Sequence, residues 1–140
     1  MSLPGSARPA VTAAVVAALA ADATLLAALG GTARVYVNVP DNTPAPYLWV
    51  LGGAETPMPQ TQAARRRRYV SVVVSAVSAH RGTSEIDSLL SRVIEVLEAQ
   101  PAVTGYSAQW WFRENAEPQR VDEDGTDLWV GSVRFEVWCA

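Results

Sequence analysis

Residues Tyr69 to Ser78 read YVSVVVSAVS, and this run narrows the possible folds more than any other part of the chain. Successive side chains of a strand point to opposite faces, so Val70, Val72, Val74 and Ala76 share one face while Ser71, Val73, Ser75 and Val77 share the other. With apolar residues on both faces, the run is predicted to be a central strand. The period then changes. Ile86, Leu89, Leu90, Val93, Ile94 and Leu97 recur at three- and four-residue spacing, the stripe of an amphipathic helix, and Pro101 stops it. Ser84-Glu85-Ile86-Asp87 opens that helix with a capping-box pattern, the Ser84 hydroxyl as cap and the carboxylates answering the exposed amides of the first turn.

An alanine-rich helix is predicted from about Ala10 to Leu29, with Val11, Val15, Val16, Leu19, Leu26 and Leu29 as its larger apolar residues, Pro9 at its start and Gly30-Gly31 at its end. Small alanines allow it to lie close on a sheet. Arg34 to Val37 and Tyr47 to Leu51 are rich in β-branched and aromatic residues. Pro40, Pro44 and Pro46 between them cannot donate to a ladder, which forces the link outward. Tyr106 to Arg113 and Leu128 to Cys139 read as further strands, the second with Trp129, Val133, Phe135 and Val137 on one face. Exposed loops are expected at about 38–46, 54–68 and 114–127, the last ending in the turn signal Asp124-Gly125. This order predicts an α+β fold: a single domain, residues 1–140, with two helices on one face of a largely antiparallel sheet.

At 140 residues, 49% of them apolar and 18% charged, the chain fits one core. The solitary Cys139 cannot close an internal disulfide. No lysine is present, and all eleven basic residues are arginine, which forks onto carboxylates and phosphates better than lysine does. Charge is split along the chain. Residues 1–82 hold seven arginines against three acids, a balance of +4, and residues 83–140 hold four against eleven, a balance of −7. Such halves can hold one fold together or pair unlike surfaces of two subunits. Ala10 to Ala21, after Arg8 and with Ala18-Leu19-Ala20, imitates a signal peptide and keeps a secreted reading open, with a mature amino terminus near Asp22. The helical pattern that resumes after Asp22 argues against it. No segment reaches the roughly 20 apolar residues that span a bilayer.

His80 is the only histidine, so a nucleophilic triad would need it as base beside Ser78 or Ser84, and a zinc site would have to rely on carboxylates. A surface or capping histidine is the simpler reading. A P-loop is excluded by the absence of lysine, and Asp122-Glu123-Asp124-Gly125 departs from the spacing of an EF-hand. No catalytic residue, metal or cofactor is assigned. Arg65, Arg66, Arg67 and Arg68 form the sharpest charge feature, open to three readings: a solvated loop, a subunit or partner contact, or a nucleic-acid contact. Trp110 and Trp111 fall on opposite faces of one strand, so at least one should be half exposed and available as an interface anchor.

The helix AALAADATLLAALGG, the link VYVNVP…PAPYLWV, the strand YVSVVVSAVS, the helix SEIDSLLSRVIEVLEAQP and the closing DGTDLWVGSVRFEVW occur in an order that resembles the tail-completion or tail-terminator proteins of long-tailed bacteriophages and gene-transfer particles. The Glu55 to Arg68 loop is more arginine-rich than that pattern. The resemblance implies a non-enzymatic assembly protein, similar to those that form a ring, commonly of six copies, on the end of a finished tail tube and join it to the head connector. It implies as partners further copies of the chain, the tail tube protein and a head–tail connector protein. DNA would be met only as it passes through the ring lumen, and no membrane is involved. It further implies assembly in the bacterial host cytoplasm and a final place at the head–tail junction.

In a head-to-tail ring each subunit offers two different surfaces, so Arg65 to Arg68 of one copy could meet Glu114, Glu117, Asp122, Glu123, Asp124 and Asp127 of the next. Trp110 and Trp111 complete this expected interface set. A head-side connector or stopper, and a basic-loop nucleic-acid module with steeply salt-dependent DNA binding, remain alternatives.

Overall fold

A computed structural model describes residues 6–57, 67–123 and 125–140. Among them the elements run α1 (Arg8–Ala20), α2 (Ala23–Ala28), β1 (Val35–Tyr36), β2 (Tyr47–Pro57), β3 (Arg68–Ser78), α3 (Ser84–Glu98), β4 (Ala108–Asn115), β5 (Gln119–Glu123) and β6 (Thr126–Cys139). The architecture is the expected α+β arrangement, with three helices in place of two. The alanine-rich segment breaks because Asp22, in extended conformation, accepts the Leu25 amide at 3.0 Å and starts a new helix. A side-chain acceptor at that point competes with continuing the first helix and caps the second.

The strands form one sheet in the order β1-β2-β3-β6-β4, with β5 paired to the amino-terminal part of β6. β1 and β2 are parallel, and every other pairing is antiparallel. β3 is central as its pattern predicts, with Val70, Val72, Val74 and Ala76 buried. The helices share that face. α1 packs over β2, α3 over β3 and β6, and Val11, Val15, Leu19, Leu25, Ile86, Leu89, Leu90, Val93 and Leu97 close the core with Val133, Phe135 and Val137. Each large apolar side chain so buried contributes on the order of 1.5–3 kcal/mol over leaving it in water. Gly131 permits the closest approach: a Cβ there would lie 2.8 Å from both Ile86 Cγ2 and Leu90 Cδ1.

Four local expectations are corrected. Of the loop expected over 54–68, residues 54–57 and 68 are in strands, because β2 continues to Pro57 across a register shift between Gly52 and Glu55 and Arg68 already pairs in β3; residues 58–66 lie outside the described residues. The acidic stretch 114–127 contains β5, held by five cross-strand pairs to β6, since Gln119-Arg120-Val121 can extend a hairpin whose Gly125 has φ +78°. The first strand shrinks to Val35–Tyr36. The residue before α3 is Thr83, with no side-chain cap, and Ser84 lies inside the first turn. The 38–46 link carries no strand, and its Ala45–Pro46 peptide is cis.

Candidate assembly surface

Arg68 begins β3, paired with Pro57 and Cys139, and the exposed Arg67 precedes the strand; Arg65 and Arg66 lie outside the described residues. Arg68 is built into the fold. Its Nε lies 3.5 Å from Glu55 Oε2, and Glu55 also accepts the Ala7 amide at 3.0 Å, the Arg8 amide at 3.3 Å and the Ser6 hydroxyl. One carboxylate thus ties the start of α1 to β2 and β3. Burial works to raise the Glu55 pKa, but the hydrogen bonds from Ser6, Ala7 and Arg8 and the charge of Arg68 outweigh it, leaving the carboxyl below its ordinary range.

The acidic residues occupy the far end and one edge of the sheet. Glu114 lies 4.0 Å from Arg134, and Asp127 accepts from Arg120 across the β5–β6 hairpin. Glu117 and Asp122 are exposed and have no ion-pair partner among the described residues. Asp124 lies outside the described residues, and Glu123 closes the hairpin ladder opposite Thr126. Arg68 is level with Cys139, whereas Asp127 stands at the other end of β6. At about 3.3 Å per residue, the basic and acidic ends are up to about 40 Å apart along the strands. Copies placed side by side at one height therefore do not bring Arg67 and Arg68 to Asp122 and Asp127.

Trp110 and Trp111 divide as their alternation requires. Trp110 is buried, edge-on to Phe135, and its indole N–H donates to the Pro101 carbonyl at 2.9 Å. Trp111 is exposed on the face away from the helices, 5.5 Å from Trp138, which in turn meets Tyr69 edge-on at 4.9 Å. Beside this aromatic row, Glu136 accepts from the Trp138 indole at 2.9 Å and from Arg113 at 3.2 Å. The Trp138 hydrogen bond leads in holding the Glu136 carboxyl below its ordinary range, against the raising effect of burial.

Ser78 and His80 are not bonded as nucleophile and base. The buried Ser78 hydroxyl donates to Glu85 and accepts the His80 amide, while His80 Nδ1 accepts the Gly82 amide at 3.3 Å. Among the described residues no group of three or more His, Cys, Asp or Glu side chains could hold a metal ion, and no helix is long and apolar enough to cross a membrane. Sequence reasoning missed Asp22, Arg92, Glu55 and Glu85 as structural contacts, because their partners are distant in the chain or, for Glu85, in the strand before its helix.

No curated protein sequence matches the chain significantly. Among solved structures, one from the virion of a native gene transfer agent particle superposes with a TM-score of 0.74 at 23% identity, covering 96% of this chain and 98% of its own; at that identity the likeness concerns the fold. The family described as "Tail completion protein gp17" matches residues 13–140. That family match over nearly the whole chain establishes that this protein belongs to the tail completion protein gp17 family.

Proposed function

We propose that the chain is a structural tail-assembly protein that closes the end of a finished tail tube as a ring, stops its polymerisation and joins it to the head connector. Membership of the tail completion family supports the broader role. The finer reading is carried by one observation: exposed charge is polarised along the strands, with Arg67 just before β3 at one end and Asp122 of the β5–β6 hairpin, without an ion-pair partner among the described residues, at the other. A ring of copies aligned on the strand direction has one basic and one acidic rim, suited to two different neighbours above and below. Attraction between Arg67 and the acidic hairpin of separate copies then acts between stacked rims, while the ring plane uses other surfaces. Six copies are the expected number, with DNA passing through the lumen.

Adding the purified chain to polymerising tube subunits tests this reading. Tube growth should stop and negative-stain images should show a ring-shaped cap at one tube end. Unchanged growth with bare ends would overturn it, and binding to an isolated connector alone would favour the head-side stopper.

A further inference from the structure

The large apolar side chains exposed among the described residues are Val37, Trp49, Leu51, Trp111, Phe112 and Val121, each 40–50% accessible. Three lie on or beside the β1–β2 edge of the sheet and three on the opposite β4–β5 edge. Between them, the outer face of β3 and β6 alternates Ser71, Ser75, Ser132, Arg134 and Glu136 with the half-buried Tyr69, Val73 and Trp138. Apolar exposure is therefore concentrated where one sheet could meet another.

The two edges match in height. A groove of about 600 Å³ lies between α1 and β2, walled by Ala13, Val16 and Ala17 of α1 with Val37 and Gly52, and Arg8 also lines it. Gly52 pairs with Val72, Val72 with Phe135, and Phe135 with Phe112. Phe112 and the groove thus sit on one cross-strand row at opposite ends of the sheet. A second row runs from Val35 through Leu48, Ala76 and Gly131. It emerges between Ala116, bonded to Ser132, and Gln119, opposite Val130, where Pro118 lies against Gly131 and the neighbouring Glu117 is exposed. Arg34, next to Val35, and Arg8 have no ion-pair partner among the described residues, and neither do Glu117 and Asp122.

We infer that successive copies join edge to edge at one height, Phe112 of one copy, on the helix-bearing face of β4, seating in the α1–β2 groove of the next and Glu117 facing Arg34. The inference rests on the ring reading above and supplies its joint. Strand directions agree: three antiparallel steps separate β2 from β4, so β4 of one copy runs antiparallel to β2 of the next. Both edges carry a bulge at this level, between Gly52 and Glu55 and between Phe112 and Glu114. Bulges blunt backbone pairing, so side chains carry the contact. A knob on one edge and a hole on the other form a heterologous interface, the kind that builds rings or filaments.

The test is native mass spectrometry of the full chain, of Phe112→Asp and of Ala13→Arg, with circular dichroism confirming that each variant is folded. The wild type should form oligomers and each variant alone should be monomeric. A one-to-one mixture should give dimers and nothing larger, because one knob and one groove remain intact between the two. A closed wild-type oligomer that persists in either folded variant overturns the joint and leaves the ring reading standing. An open-ended wild-type series abolished by both variants upholds the joint and overturns the closed ring. A wild type that stays monomeric at all concentrations, or a mixture without dimers, overturns the joint.

Discussion

The guanidinium of Arg92 forks onto both carboxylate oxygens of Asp22, Nε to Oδ2 at 2.9 Å and Nη2 to Oδ1 at 2.7 Å, across seventy residues of sequence. Its remaining nitrogen reaches Glu95 at 2.8 Å. Bidentate geometry is what distinguishes arginine from lysine at such a site. Here it locks α2 to α3 through the residue that caps α2.

Asp22→Ala should therefore cost more than an ordinary cap. Loss of the hydrogen bond to Leu25 alone is worth about 1 kcal/mol, and the Arg92 fork is lost with it. Arg92→Lys should recover only part of the contact, since an ammonium cannot fork. Urea unfolding of the three chains checks the order wild type, Arg92→Lys, Asp22→Ala in decreasing stability.

Gly131→Val should be among the most damaging changes in the core. Its side chain would collide with Ile86 and Leu90, which are buried and hemmed in by the rest of the core, and overpacking of this kind costs about 1–3 kcal/mol. Gly52→Ala is the contrast. Its nearest neighbours are the Arg8 stem and the Thr12 hydroxyl, and the exposed Arg8 chain can swing aside. Denaturation midpoints should fall further for Gly131→Val than for Gly52→Ala.

Stability should decline in acid. Asp22, Glu55 and Glu136 all have folded pKa values below their ordinary 3.8 or 4.5. A depressed carboxylate stabilises the fold above its unfolded pKa and loses that contribution as the pH falls through the folded value. Thermal midpoints should be flat from neutral pH to just above 4.5 and drop below it. In Glu55→Gln the drop should be smaller, and an unchanged acid limb would show that Glu55 does not contribute.

Cys139 should resist thiol reagents in the native protein. Burial first, and then the charge of Glu55, push its pKa to about 11, and reciprocal backbone bonds of 2.9 Å between Ser107 and Ala140 cover the strand end. The thiolate is the reactive species, so at pH 8 labelling should be on the order of tenfold or more slower than in denaturant. Equal rates would mean that this end of β6 opens freely.

Periodicity alone made the inner strand and its following helix readable. Val70, Val72, Val74 and Ala76 alternate, and Ile86 to Leu97 follow the helical stripe, because each pattern is local and encodes which side must leave water. The opposite facing of Trp110 and Trp111 followed from the same rule. β5 was hidden because Gln119 to Glu123 has no apolar face: its pairing with β6 is decided by hairpin geometry, and charged residues are tolerated on an edge that faces solvent. The split of the first helix was hidden because one polar residue, Asp22, can either interrupt a helix or decorate it, and only the distant Arg92 settles which.

The same division holds for the candidate interface. Sequence by itself determined the fold class, the family, the uneven charge and the presence of aromatic residues without an evident place in the core, since all of these depend on residue types and their order. Tertiary structure decided that Arg68 belongs to an internal ion pair, that the basic and acidic ends lie far apart along the strands, and that Phe112 and Gly52 stand at one height on opposite edges. Those relations depend on strand register. Register is set by many weak contacts acting together across the sheet, and no short stretch of the chain contains it.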